Sequence, residues 1–170
     1  MKNEFFGNIF AAVCAGIIAV FSQISLPIGA VPITLQVFAV ALVGFLLKKA
    51  QAVLSVIAYI IIGMIGIPVF TGFNGGLSVF TGATGGFIIG FVFLAFFCSL
   101  SVEKHKLLSL LGLMICHLCG IFWFNIIYSQ NFINSFIAVS APYIIKDLLL
   151  IYIADRICKK IRPLIEKINF

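Results

Sequence analysis

Charged residues are scarce in this chain of 170 residues, which has eleven lysines and arginines and five aspartates and glutamates. Charged residues make up 9% and apolar residues 63% of the sequence, and the mean hydropathy is +1.26. Soluble domains usually carry about 25% charged residues. The composition therefore excludes an ordinary soluble domain and predicts an all-α integral membrane protein.

Several motifs that power or catalyse reactions are also missing. The sequence has no G-x-x-x-x-G-K-[ST] motif, so it predicts no ATP site of the P-loop type. It has no series of carboxylates within its apolar runs to carry protons or sodium, and no internal repeat of the transporter kind. Its basic residues lie between apolar runs and not along one face, which argues against nucleic-acid binding.

The cysteines and histidines are too few for a metal site or a disulfide framework. There are five cysteines, an odd number, and they lie in or beside apolar runs. Cys116, His117 and Cys119 have the spacing of metal ligands, but no second cluster supplies the four ligands of a structural site. We predict that these cysteines fill apolar space and that the chain binds no metal.

The apolar runs predict a single six-helix membrane domain over residues 1–170. A helix needs about 20 apolar residues to span a bilayer, and prolines and glycines separate the runs. After residue 127, a short apolar hairpin or re-entrant piece is expected around 136–141. The predicted helices are 5–25, 33–47, 50–67, 83–101, 107–127 and 142–160.

The basic residues predict the orientation of this domain in the cell membrane. With both termini in the cytoplasm, ten of the eleven basic residues face inward, as the positive-inside rule requires. Only Lys146 then lies toward the outside. The inward set is Lys2, Lys48, Lys49, Lys104, Lys106, Arg156, Lys159, Lys160, Arg162 and Lys167. The three connections without charge then face outward, and we expect a site there.

The connection 68–86 has unusual composition. It holds six glycines and no charge, and glycine lets a backbone adopt positive φ or approach a ligand closely. Phe70, Phe73 and Leu77 make it too apolar for a flexible linker. We predict a packed lid over an outward site.

A few polar side chains within the apolar runs need partners. Thr34 and Gln36 open the second helix, where they could cap it or face a cavity. Lys146 and Asp147 lie inside the last helix, where charges are costly unless they pair or face a cavity. Adjacent helical residues point about 100° apart, so these two are expected to neutralise each other poorly. We predict a ligand role for Asp147, whereas Lys146 could bind a ligand or extend to the outer interface.

Small residues recur on one face of the first helix. Ala11, Ala15 and Ala19 are four residues apart, which lets another helix approach closely. The approaching helix could belong to a partner protein or to the same bundle.

Four motifs in one order resemble the BioY family, the biotin-specific substrate-binding (S) subunits of energy-coupling-factor (ECF) vitamin transporters. They are LPIGAVPITLQ at 26–36, GIPVF at 66–70, GATGGF at 82–87, and Pro142-Tyr143 with Asp147 five residues after the proline. The resemblance implies the six-helix S-component fold and biotin as ligand. It also implies import with a transmembrane coupling subunit and two ATP-binding-cassette ATPases. ATP would be used by those partners, so no cofactor is expected in this chain.

The resemblance also implies roles for particular residues. Asp147 would accept hydrogen bonds from the ureido N–H groups of biotin, and Asn74 with the glycine-loop amides would bind its ureido oxygen or its carboxylate. The coupling subunit would dock on Ala11, Ala15 and Ala19. The predicted ligand-binding set is Thr34, Gln36, Asn74, Gly75, Gly76, Thr84, Gly85, Gly86, Phe87, Asp147 and, with its role open, Lys146.

The chain departs from the family pattern at three positions. The family commonly has proline and tyrosine where this chain has Ala83 and Phe87, and a lysine where it has Leu150. The lost lysine leaves open how a ligand carboxylate is neutralised. Alternative functions are an S component for another small vitamin or cofactor precursor, a structural subunit, or a small intramembrane enzyme with Asp147 and His117 as acid and base.

Overall fold

The computed structural model describes residues 2–103, 105 and 107–166, so Lys104, Lys106 and Lys167 of the predicted charge pattern lie outside the described residues. The described part is a helical bundle with one two-stranded sheet. Its helices are α1 Lys2–Gln23, α2 Gln36–Leu46, α3 Lys49–Met64, α4 Gly85–Glu103, α5 Leu107–Tyr128, α6 Phe132–Val139 and α7 Ala141–Glu166. Its strands are β1 Ser25–Leu26 and β2 Ile33–Thr34.

The connection between α1 and α2 is a small hairpin. β1 and β2 pair antiparallel, with Ser25 opposite Thr34, and Gly29 adopts a φ of 78° within the turn. Pro32 has no N–H to donate, and the β-branched pair Ile33–Thr34 suits an extended backbone. The second helix therefore starts at Gln36 and not at residue 33 as predicted. At 11 residues it is about 16 Å long.

α2 runs through the middle of the bundle. It packs against α1, α3, α4 and α7, and Ala39, Val40 and Ala41 have no exposed surface. α4 and α5 form the most extensive helix pair. A Cβ on Gly90 would lie 2.8 Å from the Cα of Cys116, so the glycine allows the two backbones to approach. The core is thus built around α2 and closed on one side by the α4–α5 pair.

α6 and α7 together form one broken helix. Their axes differ by 49°, and the break falls at Ser140, whose backbone is not helical. This places an eight-residue helix where the sequence predicts a short apolar hairpin or re-entrant piece. Pro142 then occupies the first turn of α7, where its missing N–H costs little.

The described helices differ in their capacity to cross a bilayer. By length and composition α4 and α5 can each span a membrane, and the α6–α7 pair can count as a third span. The apolar stretches Gly7–Gln23 of α1, Gln36–Leu46 of α2 and Lys49–Met64 of α3 are shorter, at 10–17 residues each. The protein is therefore a helical membrane protein.

The inner face of α1 corrects the predicted docking stripe. Ala11 is 1% and Ala15 is 3% exposed, whereas Ala19 is only partly buried. α1 packs chiefly against α3 and also against α2, and its buried positions recur at helical spacing. Ala11 and Ala15 therefore pack inside the bundle and do not form an exposed surface. The exposed small residues are their neighbours Ala12 and Gly16.

Candidate functional site

A cavity of about 350 Å³ opens at the end of the bundle where α2, α4 and α7 begin. The β1–β2 hairpin and the loop 68–86 complete its wall. Such a volume lies within the range of small-molecule sites, at its lower end. Seven of the eleven predicted ligand-binding residues line it: Thr34, Gln36, Asn74, Thr84, Phe87, Lys146 and Asp147.

Lys146 and Asp147 form an ion pair on this wall. The Lys146 Nζ lies 2.7 Å from the Asp147 Oδ1, and it also donates a hydrogen bond to the Thr34 carbonyl oxygen at 3.1 Å. The prediction that the two side chains neutralise each other poorly is therefore wrong. The lysine side chain is long enough to bend back across the 100° between the two positions. The Lys146 ammonium is thus held by Asp147 and by the hairpin.

Asp147 retains an acceptor for a ligand. It is 4% exposed, and its Oδ1 has no aligned hydrogen-bond donor among the described residues, although the Lys146 ammonium is close. An ionised carboxylate oxygen has room for more than one donor. A ligand N–H that reaches this carboxylate therefore gains a charge-assisted bond.

The other oxygen of Asp147 faces His117 of α5. The His117 Nε2 lies 3.4 Å from the Asp147 Oδ2, and the His117 Nδ1 is 2.9 Å from the Ser140 Oγ. The three side chains resemble a catalytic triad in composition. Ser140 has no exposed surface and does not line the cavity, so it is not placed to attack a substrate there.

A second polar group joins α2 to the loop and to α3. The Gln36 Nε2 donates to the Tyr59 hydroxyl at 2.8 Å, and its Oε1 accepts from Thr71 at 3.1 Å and Thr34 at 3.2 Å. Gln36 is 7% exposed and is therefore held by its neighbours rather than by water. Thr34 and Gln36 thus line a cavity, and the Thr34 Oγ1 also accepts from the backbone N–H of Gln36, the first residue of α2, at 3.3 Å.

The loop 68–86 is anchored at several points. Ser22 and Gln23 at the end of α1 bond to the carbonyl oxygens of Val69 and Phe70, and Gln23 Oε1 accepts from the Phe73 N–H at 2.9 Å. Farther along, the Trp123 indole donates to the Phe80 carbonyl at 2.8 Å. Phe70 itself is 1% exposed and packs on Tyr59. The loop is therefore anchored as a wall, but of the three apolar residues on which the prediction rests only Phe70 packs inside, because Phe73 is 73% and Leu77 is 62% exposed.

The four predicted glycines do not line the cavity, which corrects their assignment. Gly75 packs on the Gly66 and Ile67 carbonyls, and Gly76 has a φ of 92° where its N–H bonds to Gly63. Gly85 and Gly86 begin α4, where an added Cβ would lie 2.3 Å from the Phe80 oxygen and 2.4 Å from the Cys119 oxygen. Their role is close packing of backbone, with no positive φ at Gly85 or Gly86.

Three polar residues on the cavity wall are absent from the predicted set. Thr71 and Ser78 lie in the loop among the glycines, where their polarity could have marked them. Tyr143 follows Pro142 in one of the four motifs, and its hydroxyl donates to the Val31 carbonyl, which ties α7 to the hairpin. His117, the partner of Asp147 in the enzyme alternative, contacts Asp147 from outside the cavity wall.

Known proteins match nearly the whole chain. The sequence profile of the BioY family matches residues 4–167. The chain belongs to the BioY family. The "Probable biotin transporter BioY" of Pyrococcus horikoshii is 39% identical over 149 residues, 86% of this chain and 92% of that protein. The "Biotin transporter BioY" of Thermotoga maritima is 34% identical over 160 residues, 91% and 94% of the two chains.

A solved structure supports the same fold for this BioY-family chain. The crystal structure of an S-component for biotin from an ECF-type ABC transporter superposes with a TM-score of 0.86 and 25% sequence identity. The match covers 95% of this chain and 93% of the other. The resemblance carried by the four motifs is thereby confirmed, and the fold is that of an S component.

Proposed function

We propose that this chain is the biotin-binding subunit of an ECF-type vitamin uptake transporter in the cell membrane. The family, the relatives named as biotin transporters and the fold support this function. The observation that carries it is Asp147, a carboxylate that is 4% exposed on the cavity wall and paired with Lys146 at 2.7 Å. Biotin offers two ureido N–H groups to such an acceptor.

The Lys146–Asp147 pair suits the ureido group as a unit. A cyclic urea presents N–H and C=O along one edge, so it needs an acceptor beside a donor. Asp147 supplies the acceptor and Lys146 the donor, and their side chains are 2.7 Å apart. Because the carboxylate of Asp147 would repel a ligand carboxylate at the same place, we assign this end of the cavity to the ureido ring.

The loop wall remains for the carboxylate of biotin. Asn74 and Ser78 bring an amide and a hydroxyl to the cavity without a charge, whereas the Thr71 hydroxyl already donates to Gln36. Asn74 Nδ2 donates to the Thr71 carbonyl at 2.8 Å and has a second N–H for a ligand. Between the two ends, Phe87, Phe91 and Val37 provide apolar walls for the thiophane ring and the valeryl chain.

The chain is proposed to cross the membrane six times with both termini in the cytoplasm. The charge pattern supports this orientation, because Lys146 and Asp147 are the only charged residues among the described ones that line the cavity. α7 instead carries Arg156, Lys159 and Lys160 toward its other end. The cavity then opens to the outside, where the vitamin is captured.

Import is proposed to require a transmembrane coupling subunit and two ATPase subunits. The S component of the matched crystal structure comes from an ECF-type ABC transporter, which supports such an assembly. We propose that this chain binds and releases biotin unchanged, as a transport subunit and not an enzyme, and needs no cofactor of its own. ATP is used by the partners.

The exposed side of α1 is proposed to receive the coupling subunit. Ala12 and Gly16 are exposed and four residues apart, and nothing lies within 4 Å of a Cβ built on Gly16. Small residues at this spacing let a second helix approach closely in a membrane. The resemblance assigned this role to the stripe of Ala11, Ala15 and Ala19. We propose the neighbouring stripe instead, because Ala11 and Ala15 are buried.

Equilibrium binding tests the function directly. The purified chain in detergent is titrated with labelled biotin, then competed with unlabelled biotin, thiamine and riboflavin. We expect saturable binding of one biotin per chain that only biotin displaces. Stronger displacement by thiamine or riboflavin than by unlabelled biotin would identify an S component of different specificity, and no saturable binding of labelled biotin would refute the proposal.

A further inference from the structure

His117 is buried outside the cavity wall, so contact with a ligand does not explain its position. It is 7% exposed in the middle of the apolar helix α5 and does not line the cavity. A buried imidazole needs partners for both nitrogens. Both partners are present and belong to another part of the chain, namely Ser140 and Asp147 at the break and in the second turn of α7.

The geometry determines which atom donates the hydrogen and which accepts it in each of these contacts. Asp147 is a carboxylate and accepts only, so the His117 Nε2 that faces it carries the hydrogen. In that tautomer Nδ1 is an acceptor, and the hydroxyl of Ser140 donates to it. Ser140 is fully buried, so water does not compete for this bond. The ring edge of His117 also packs on Phe87 at a centroid distance of 5.8 Å, which restricts its rotation.

The contact with His117 restricts the orientation of the Asp147 carboxylate. Rotation of a carboxylate about its last bond exchanges Oδ1 and Oδ2, and nothing in its own chemistry distinguishes them. Here His117 faces Oδ2 at 3.4 Å, and Lys146 approaches Oδ1 at 2.7 Å without hydrogen-bond alignment. Two neighbours on two sides therefore fix the plane in which the carboxylate meets a ligand.

We propose that His117, oriented by Ser140, is a positioning residue that holds the Asp147 carboxylate in the plane in which it reads the ureido N–H groups. This inference rests on the proposed function. His117 acts through Asp147 and does not touch the ligand. It thereby contributes to the discrimination of ureido donors, and not only to the stability of the bundle.

Three substitutions separate the two nitrogens of His117. In His117→Gln the amide nitrogen reaches about as far as Nε2 and keeps a donor toward Asp147. In His117→Asn the shorter amide reaches only the position of Nδ1 and its contact with Ser140. His117→Phe keeps the ring and removes both contacts, and a fourth variant, Ser140→Ala, removes the orienting donor alone.

Each variant is assayed with biotin and with a biotin methylated on one ureido nitrogen. Methylation removes one donor, so the ratio of the two Kd values measures how well Asp147 recognises it. We expect His117→Phe and His117→Asn to bind biotin about tenfold more weakly and to show a smaller ratio than the parent. His117→Gln should retain most of the ratio, and Ser140→Ala should lower it less than His117→Phe.

The outcomes distinguish failure of this inference from failure of the proposed function on which it rests. If the parent binds no biotin, the proposed function fails and the inference falls with it. If the parent binds biotin and all folded variants keep its ratio, the function stands and the positioning role is refuted. An equal affinity loss for both ligands would also refute it, because that pattern indicates a structural role. Should His117→Phe not fold, the difference between His117→Gln and His117→Asn decides.

Discussion

The two walls of the cavity hold their polar groups in different ways. The α7 wall carries charges, and each charge is held by a side chain or carbonyl from another element: Lys146 by Thr34, and Asp147 by His117. The loop wall carries neutral hydroxyls and amides, held mostly by nearby backbone, as Asn74 is by Thr71. The comparison indicates that the helix wall supplies the strong, directional contacts and that the loop wall shapes and closes the site.

Asp147→Ala should produce the largest loss of biotin affinity. It removes a charge-assisted bond and leaves ligand donors unpaired, at a cost of about 2–4 kcal/mol in binding. Isothermal titration or radioligand binding in detergent measures it. Asp155→Ala is the matched control, because this carboxylate lies two turns along α7, pairs with Lys159 and is remote from the cavity. Parent-like affinity in a folded Asp147→Ala variant would show that the α7 wall does not bind the ligand.

Lys146→Met should have the next largest effect, about 10- to 100-fold in Kd, as expected for a hydrogen bond from a charged group worth about 1.5–3 kcal/mol. If Lys146 serves the ureido oxygen, biotin and its neutral methyl ester lose affinity equally. The two ligands are compared in one binding assay. A loss confined to free biotin would place the carboxylate at α7 and reverse the assignment of the two ends.

Thr71→Val should weaken binding only about 2- to 10-fold, since a neutral hydrogen bond contributes about 0.5–1.5 kcal/mol. It removes the bond from the loop to Gln36 while keeping the side-chain shape. Thr81→Val is the control, because the Thr81 hydroxyl bonds to Ser78 within the same loop. Affinities from the same titration give both values. A loss as large as that of Asp147→Ala would show that the loop wall is not the weaker one.

Gly16→Trp should leave biotin affinity unchanged, since Gly16 faces away from the bundle. It should abolish co-purification with the coupling subunit, because the added bulk blocks helix approach. Ala15→Trp is the comparison variant. Ala15 is 3% exposed, so a tryptophan there should overpack the bundle and lower the thermal stability of the isolated chain. A Gly16→Trp variant that still assembles would exclude this face of α1.

The sequence predicts the family and the all-helical class, because four motifs in order and long apolar runs are both local signals. It does not predict the Lys146–Asp147 pair, since the contact depends on how a flexible lysine bends and not on the helical positions alone. The glycines predict a close approach but do not identify the group that approaches. A Cβ on Gly86, for example, would lie 2.4 Å from the Cys119 carbonyl oxygen. Likewise the alanines of α1 predict a close contact, but only the packing of α3 decides which alanine faces inward.

The shortness of α2 has a consequence for the path of the vitamin. Gln36, its first residue, lines the cavity, and Lys48 and Lys49 follow its last turn at the opposite end. The helix between them covers about 16 Å, roughly half of a hydrocarbon layer about 30 Å thick. In the proposed orientation, bound biotin therefore already rests near the midplane of the bilayer. The transporter has only the inner half of the barrier left to open, and the outer half is crossed by binding alone.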